Sequence, residues 1–133
     1  MTQMEGYEGF VGSVWTNDEP QPPVPTATII VGDFNSAPDS EEFSRMVGAH
    51  HPAYGLVGHL DAFVDSWDAA KKRSGDETCY TWWPDPPGRP PNKPLRLGYC
   101  FLDPHLGQKV AHAWADQDAI GSDHKPFWVD LDF

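Results

Sequence analysis

Two short polar stretches carry residues that could do chemistry. The first is GDFN, residues 32–35, at the end of the apolar run TATIIV. In extended chain, residues two apart project to the same side. Asp33 and Asn35 would then share a face while Phe34 turns back into the core. An Asp so placed can orient and deprotonate a water, and an Asn beside it can donate to a phosphate oxygen without adding negative charge. Gly32 removes a side chain where a ligand would approach. The second stretch is GSDHKP, residues 121–126, just before the closing run PFWVDLDF. A loop there lets Asp123 and His124 point into one cleft, which a strand would forbid. Histidine is the usual acid–base group near neutral pH, and an adjacent carboxylate can hold a metal or a proton. Taken alone, each stretch also reads as a turn, GDFN as an Asx-turn after a strand.

The elements that must position these residues follow from the apolar pattern. TATIIVG is β-branched, short and closed by Gly32, which predicts a buried strand. Asp39 or Ser40 caps a helix whose apolar face is Phe43, Met46 and Val47, with Glu42 placed for a capping box and Gly48 at the stop. AHHPAYGLVG reads as a loop. Leu60, Phe63, Val64 and Trp67 recur at helical spacing, predicting a second helix over 59–70. TCYTWW reads as a strand, and WPDPPGRPPNKP as a stiff loop. LRLGYCFL alternates, with Leu95, Leu97, Tyr99 and Phe101 on one face. KVAHAWA alternates with Val110, His112 and Trp114 together. Phe127, Val129, Leu131 and Phe133 face one way in the last strand. One strand, two helices and four strands predict an α+β fold, a mostly antiparallel sheet with helices on one face.

Composition narrows the function classes. The 133 residues suffice for one domain with a modest core, and six Trp, seven Phe and four Tyr can fill it. A net charge of −11 disfavours tight sequence-independent binding to long duplex nucleic acid. It leaves phosphate chemistry open, because carboxylates that hold a divalent cation make a site acidic. The cations Lys71, Lys72, Arg73, Arg89, Lys93 and Arg96 gather in one stretch, as a phosphate-attracting patch or as solvated surface. No apolar stretch has the length of a membrane span, and the first ten residues lack the pattern of a signal peptide, so a cytoplasmic protein is expected. Cys79 and Cys100 read as packed, reduced thiols. The histidines at 50, 51, 59, 105 and 112 show no zinc spacing and receive no role.

GDFN after a strand, then PDSEEF, a DAF segment, YTWW, LRLGYCF and finally GSDH before a closing strand resemble, in that order, the endonuclease/exonuclease/phosphatase superfamily. The GSDHKPFWVDLDF block is nearest the exonuclease III-like branch, with its DNase I-like sandwich of sheets flanked by helices. The resemblance spans residues 26–133 and leaves 1–25 as an irregular segment with a proline-rich linker. It implies Mg²⁺-dependent hydrolysis of a phosphodiester or phosphomonoester, with Mn²⁺ as a substitute. In-line attack by water on phosphorus is expected, the metal offsetting charge on the phosphate oxygens. The substrate would be nucleic acid, nucleotide or phospholipid headgroup, the nuclease reading leading. Carried over by motif, Asp33 activates the water, Asn35 holds the phosphate, Asp123 serves at the metal together with Asp33, and His124 contacts the phosphate.

Two departures accompany the resemblance. Gly98 stands where the family carries an Asp before Tyr, the carboxylate that pairs with the SDH histidine. The family domain is also nearly twice as long, and its early metal-binding Glu has no counterpart recognised in residues 1–25. The chain is therefore expected to be the C-terminal half of the fold, with an apolar sheet face that a second chain or a homodimer would cover. The alternative function is a non-catalytic remnant or interaction module of the same fold.

Overall fold

The computed structural model describes residues 20, 23, 26–51, 53–57, 62–74 and 79–133. The predicted irregular segment 1–25 lies almost wholly outside them. β1 (Ile29–Asp33) forms where the β-branched run predicts it and pairs antiparallel with β5 (Gly98–Leu102). β4 (Val64–Asp65) flanks β5 on its other edge, giving a three-stranded sheet with β5 at its centre. α1 (Glu41–Val47) starts at Ser40, whose Oγ accepts from the Phe43 backbone N–H at 3.2 Å. It stops at Gly48, whose φ of 97° a side chain would strain.

The fold class is α+β with antiparallel pairing throughout the described residues. The two faces of β5 carry separate cores. Tyr99 and Phe101 pack with Val47, Phe43 and Met46 of α1. Cys100 and Leu102 pack with Trp67 and Ala70 of α2 (Ser66–Ser74) and with the β6 (Val110–Ala115) and β7 (Phe127–Leu131) hairpin. The helices thus serve opposite faces of β5, not the single face expected. A strand buried on both sides needs cover on both.

Four local expectations change. The segment 49–57 is no loop but a small hairpin, β2 (Ala49–His51) and β3 (Gly55–Val57). The second helix begins at Ser66, because Val64 is taken by pairing with Leu102 on β5. Residues 79–83 of TCYTWW, the described part, form no regular strand; Trp82 alone among them makes bridges, to Leu95 and to His124. The prolines that follow cannot extend a ladder. In β6 a bulge between Val110 and His112 breaks the alternation. Val110 is buried while His112 and Trp114 face outward. Between β5 and β6 lies α3 (Pro104–Gly107), capped by Asp103.

The inner sheet is covered unevenly. Directly opposed residues of an antiparallel pair share a side. Ile29 and Val31 therefore face the same way as Leu102 and Cys100. Leu102 is 0% exposed, yet Ile29 and Val31 are 51% and 67% exposed. The cover supplied by α2 and the β6–β7 hairpin ends at β5. Among the described residues no helix is long and apolar enough to cross a membrane.

Candidate active site

Asp33 is the last residue of β1, and its register partner on β5 is Gly98. The chain then turns. Asp33 Oδ1 accepts from the Asn35 backbone N–H at 2.8 Å, and Asn35 has a φ of 50°. Asn tolerates that left-handed conformation better than most residues. The Asx-turn is thus present, and it is the device that presents the two side chains. Phe34 turns inward as expected, packing edge-on against Phe101 with ring centroids 5.1 Å apart. The loop is tied down from below, where Tyr99 Oη donates to the Ser36 carbonyl at 2.6 Å. Burial pushes the Tyr99 hydroxyl far above its ordinary value, so it remains a donor.

The second stretch reaches the same place through Thr81–Trp83. The Lys125 N–H donates to the Thr81 carbonyl at 2.8 Å, and the Trp83 N–H to the Asp123 carbonyl at 3.0 Å. Thr81 Oγ1 in turn accepts from the backbone N–H groups of Leu97 and Gly98. The loop of residues 121–126 is thereby stitched to β5, one strand from Asp33.

His124 Nε2 lies 3.9 Å from Asp33 Oδ2, with both side chains partly exposed. Asp123 Oδ2 accepts from Trp82 Nε1 at 3.0 Å and faces Arg89 Nη1 at 3.9 Å. Two adjoining clefts meet at His124. One, of about 260 Å³, is lined by Asp33, Gly98, Lys125, Val31 and Phe127 among others. The other, of about 290 Å³, is lined by Asn35, Asp123, Arg89 and Trp82 among others. Of the residues singled out from sequence, Asp33 lines one cleft, Asn35 and Asp123 line the other, and His124 lines both. Past the bend, Asn35 lines a different cleft from Asp33, where simple alternation predicted a shared face.

The sequence reading left Arg89, Thr81 and Lys125 without a role in the cleft. Arg89 was visible only as one cation among six. Of the rest, Arg96 belongs elsewhere: buried, it pairs with buried Asp65 at 2.5 Å and stacks over Trp67 and Tyr99.

No group of three or more His, Cys, Asp or Glu suited to a metal occurs among the described residues. Asp33 and Asp123, on adjoining clefts that share His124, still suit a hard cation that keeps waters and takes its remaining oxygens from substrate. They do not make an all-protein cage.

No curated protein matches the sequence. The family model of the Endonuclease/Exonuclease/phosphatase family matches residues 7–124, a span that runs from ahead of the proline-rich linker to His124. That family comprises phosphoesterases and nucleases that are generally divalent-metal dependent. With the match covering most of the 133 residues, the chain belongs to the Endonuclease/Exonuclease/phosphatase family.

Proposed function

We propose that the chain hydrolyses phosphodiester bonds in a nuclease-like reaction supported by Mg²⁺, with Mn²⁺ able to replace it. The observation that carries this reading is the approach of Asp33 to His124 at 3.9 Å, two residues 91 positions apart, with Asn35 and Asp123 on the adjoining cleft. Asp33 orients the attacking water through Oδ2 and takes its proton. Its Oδ1 is held by the Asn35 N–H, which fixes the carboxylate plane. The Asn35 amide donates to a phosphate oxygen. His124 donates from Nε2 to the phosphate as negative charge grows on it, the kind of electrostatic support that dominates many catalysed reactions. Asp33 and Asp123 would hold the metal. When bound, it supplies charge neutralisation at the phosphate and leaving oxygen.

The experiment offers the purified chain a small phosphodiester, bis(4-nitrophenyl) phosphate, with Mg²⁺ or Mn²⁺. Turnover abolished by chelator and by Asp33→Ala supports the reading. Absence of turnover from a correctly folded chain supports the second reading, a non-catalytic remnant of the fold. Gly98 favours that second reading, because no carboxylate on β5 faces the histidine loop.

The half-exposed Ile29 and Val31 beside a buried Leu102 suggest that a second chain or another copy covers β1. Sedimentation with Val31→Glu as the control tests this, and a wild-type monomer at all concentrations would exclude the homodimer. Two buried cysteines that form no disulfide fit a reducing compartment such as the cytoplasm.

A further inference from the structure

The proline-rich loop between Trp83 and Leu95 carries a cation into the cleft, and neither the family match nor the motifs assign it anything. We propose that Arg89 is a specificity residue that grips a second anionic group on the substrate, one linkage away from the ester facing His124. The inference rests on the functional reading above and deepens it: the substrate is a phosphodiester flanked by another phosphate, not an isolated monoester.

Three observations support it. First, His124 stands where two clefts adjoin. A phosphomonoester has a substituent on one side of phosphorus only, whereas a diester has one on each side. Second, the two clefts differ in chemistry. The one at Gly98 is bordered by Val31 and Phe127, suited to an organic substituent. The other is bordered by Trp82, Leu95 and Leu97 and by the polar groups Asn35, Arg89 and Asp123; the amide and the guanidinium supply donors for an anion, and Asp123 is the charge that opposes it.

Third, Arg89 is positioned by its backbone and not consumed by partners. Its N–H donates to the Pro86 carbonyl at 3.0 Å, and its carbonyl accepts from the Asn92 N–H at 2.7 Å. Nη1 reaches the Asp85 carbonyl at 3.4 Å and stands 3.9 Å from Asp123 Oδ2, beyond hydrogen-bond length. The side chain remains 56% exposed. A guanidinium has five donors in a planar fork that matches phosphate oxygens two at a time. A loop held by six prolines loses little freedom when it binds. In a chain of net charge −11, attraction for an anion must come from a local cation. Lys125 lines the other cleft, and its Nζ is occupied by the Ala119 carbonyl at 2.5 Å.

The test compares thymidine dinucleotides with a terminal phosphate at either end, the same dinucleotide without one, and bis(4-nitrophenyl) phosphate. A parallel pair, glycerophosphoinositol with and without a ring phosphate, distinguishes a lipid-headgroup source from a nucleotide one. Arg89→Ala should raise KM for a phosphate-flanked diester roughly 10- to 100-fold, the worth of one charge-assisted contact, with kcat within about twofold. The loss on the substrates without the extra phosphate should be at least about 10-fold smaller, and Arg89→Lys should recover part of the loss on the phosphate-flanked diester. Equal losses on every substrate, or none on any, would overturn the proposal. If the wild-type chain hydrolyses none of these compounds, the functional reading fails while the Arg89 inference is still decided by binding. Tryptophan fluorescence titrations with the two dinucleotide types, in chelator, then apply. A preference of about 10-fold for the phosphorylated form, lost in Arg89→Ala, sustains it. Equal binding, or no binding, rejects it.

Discussion

His124 Nε2 faces Asp33 Oδ2 across 3.9 Å, joining the end of the first strand of the central sheet to the loop before the last strand of the chain. The separation exceeds a hydrogen bond and leaves the two groups free to share a phosphate and a water. Asp33→Asn keeps the acceptor that ties the Asn35 N–H but removes the base. We expect turnover of a phosphodiester to fall by about 10²–10⁴-fold in Asp33→Asn and in His124→Ala, as for loss of a general acid–base group. Unchanged thermal melting would show that the fold survives. Activity within a few-fold of wild type in both variants would exclude them from the reaction.

Gly98 lies opposite Asp33 in register, and a Cβ built there would meet the Thr81 side chain at 3.4–3.5 Å, ordinary contact. The Cβ of an aspartate can therefore be placed on β5 without displacing Thr81. Gly98→Asp should raise the rate by about 10-fold or more by orienting His124, since a carboxylate that orients a catalytic histidine is worth orders of magnitude elsewhere. A like charge opposite Asp33 should lower stability slightly. A variant that melts as the wild type does but shows no rate gain would remove Gly98 as the missing part.

The buried Asp65–Arg96 pair sits under the site, where the Arg96 carbonyl accepts from Tyr99 Oη at 3.2 Å. Burial pushes the Asp65 carboxyl up, opposed by the charge and hydrogen bond of Arg96. Among the described residues, Asp65 Oδ2 and Arg96 Nε meet no hydrogen-bond partner. Arg96→Met should cost about 3–5 kcal/mol because it strands a buried carboxylate. The double variant Asp65→Leu/Arg96→Met should recover most of that loss. Urea titrations of the two variants give the comparison, and additive losses would contradict the account.

Asp103 couples the start of β1 to α3. It accepts from the Thr28 N–H at 2.7 Å, and from the N–H groups of His105 and Leu106 at 2.9 and 3.0 Å. These donors, Thr28 foremost, hold its carboxyl below the ordinary carboxylate range. A lowered folded-state value contributes stability that is complete above the unfolded value, about pH 4, and is lost as pH falls through the folded value. Asp103→Ala should therefore unfold at lower urea than wild type at pH 7, and the difference should shrink below about pH 4. A gap that is constant with pH would show that the carboxylate charge is not what stabilises this cap.

Much of this protein was legible in one dimension because local rules were enough. Alternation and β-branching announced β1, β5 and β7. Ser40 and Gly48 bounded α1, since capping depends on a few adjacent residues. The order GDFN, LRLGYCF and GSDH pointed to the family and to Asp33, Asn35, Asp123 and His124, which line two clefts that share His124. Where sequence reasoning failed, partners distant along the chain decided. Val64 entered a strand and not a helix because Leu102 was available to pair with it. One bulge at Val110 turned His112 and Trp114 outward. Arg89 and Arg96 looked alike in the sequence, a few residues apart in the same cationic stretch. Only the tertiary structure distinguished them, burying one against Asp65 and leaving the other at the cleft, because burial and charge pairing depend on what the rest of the chain brings alongside.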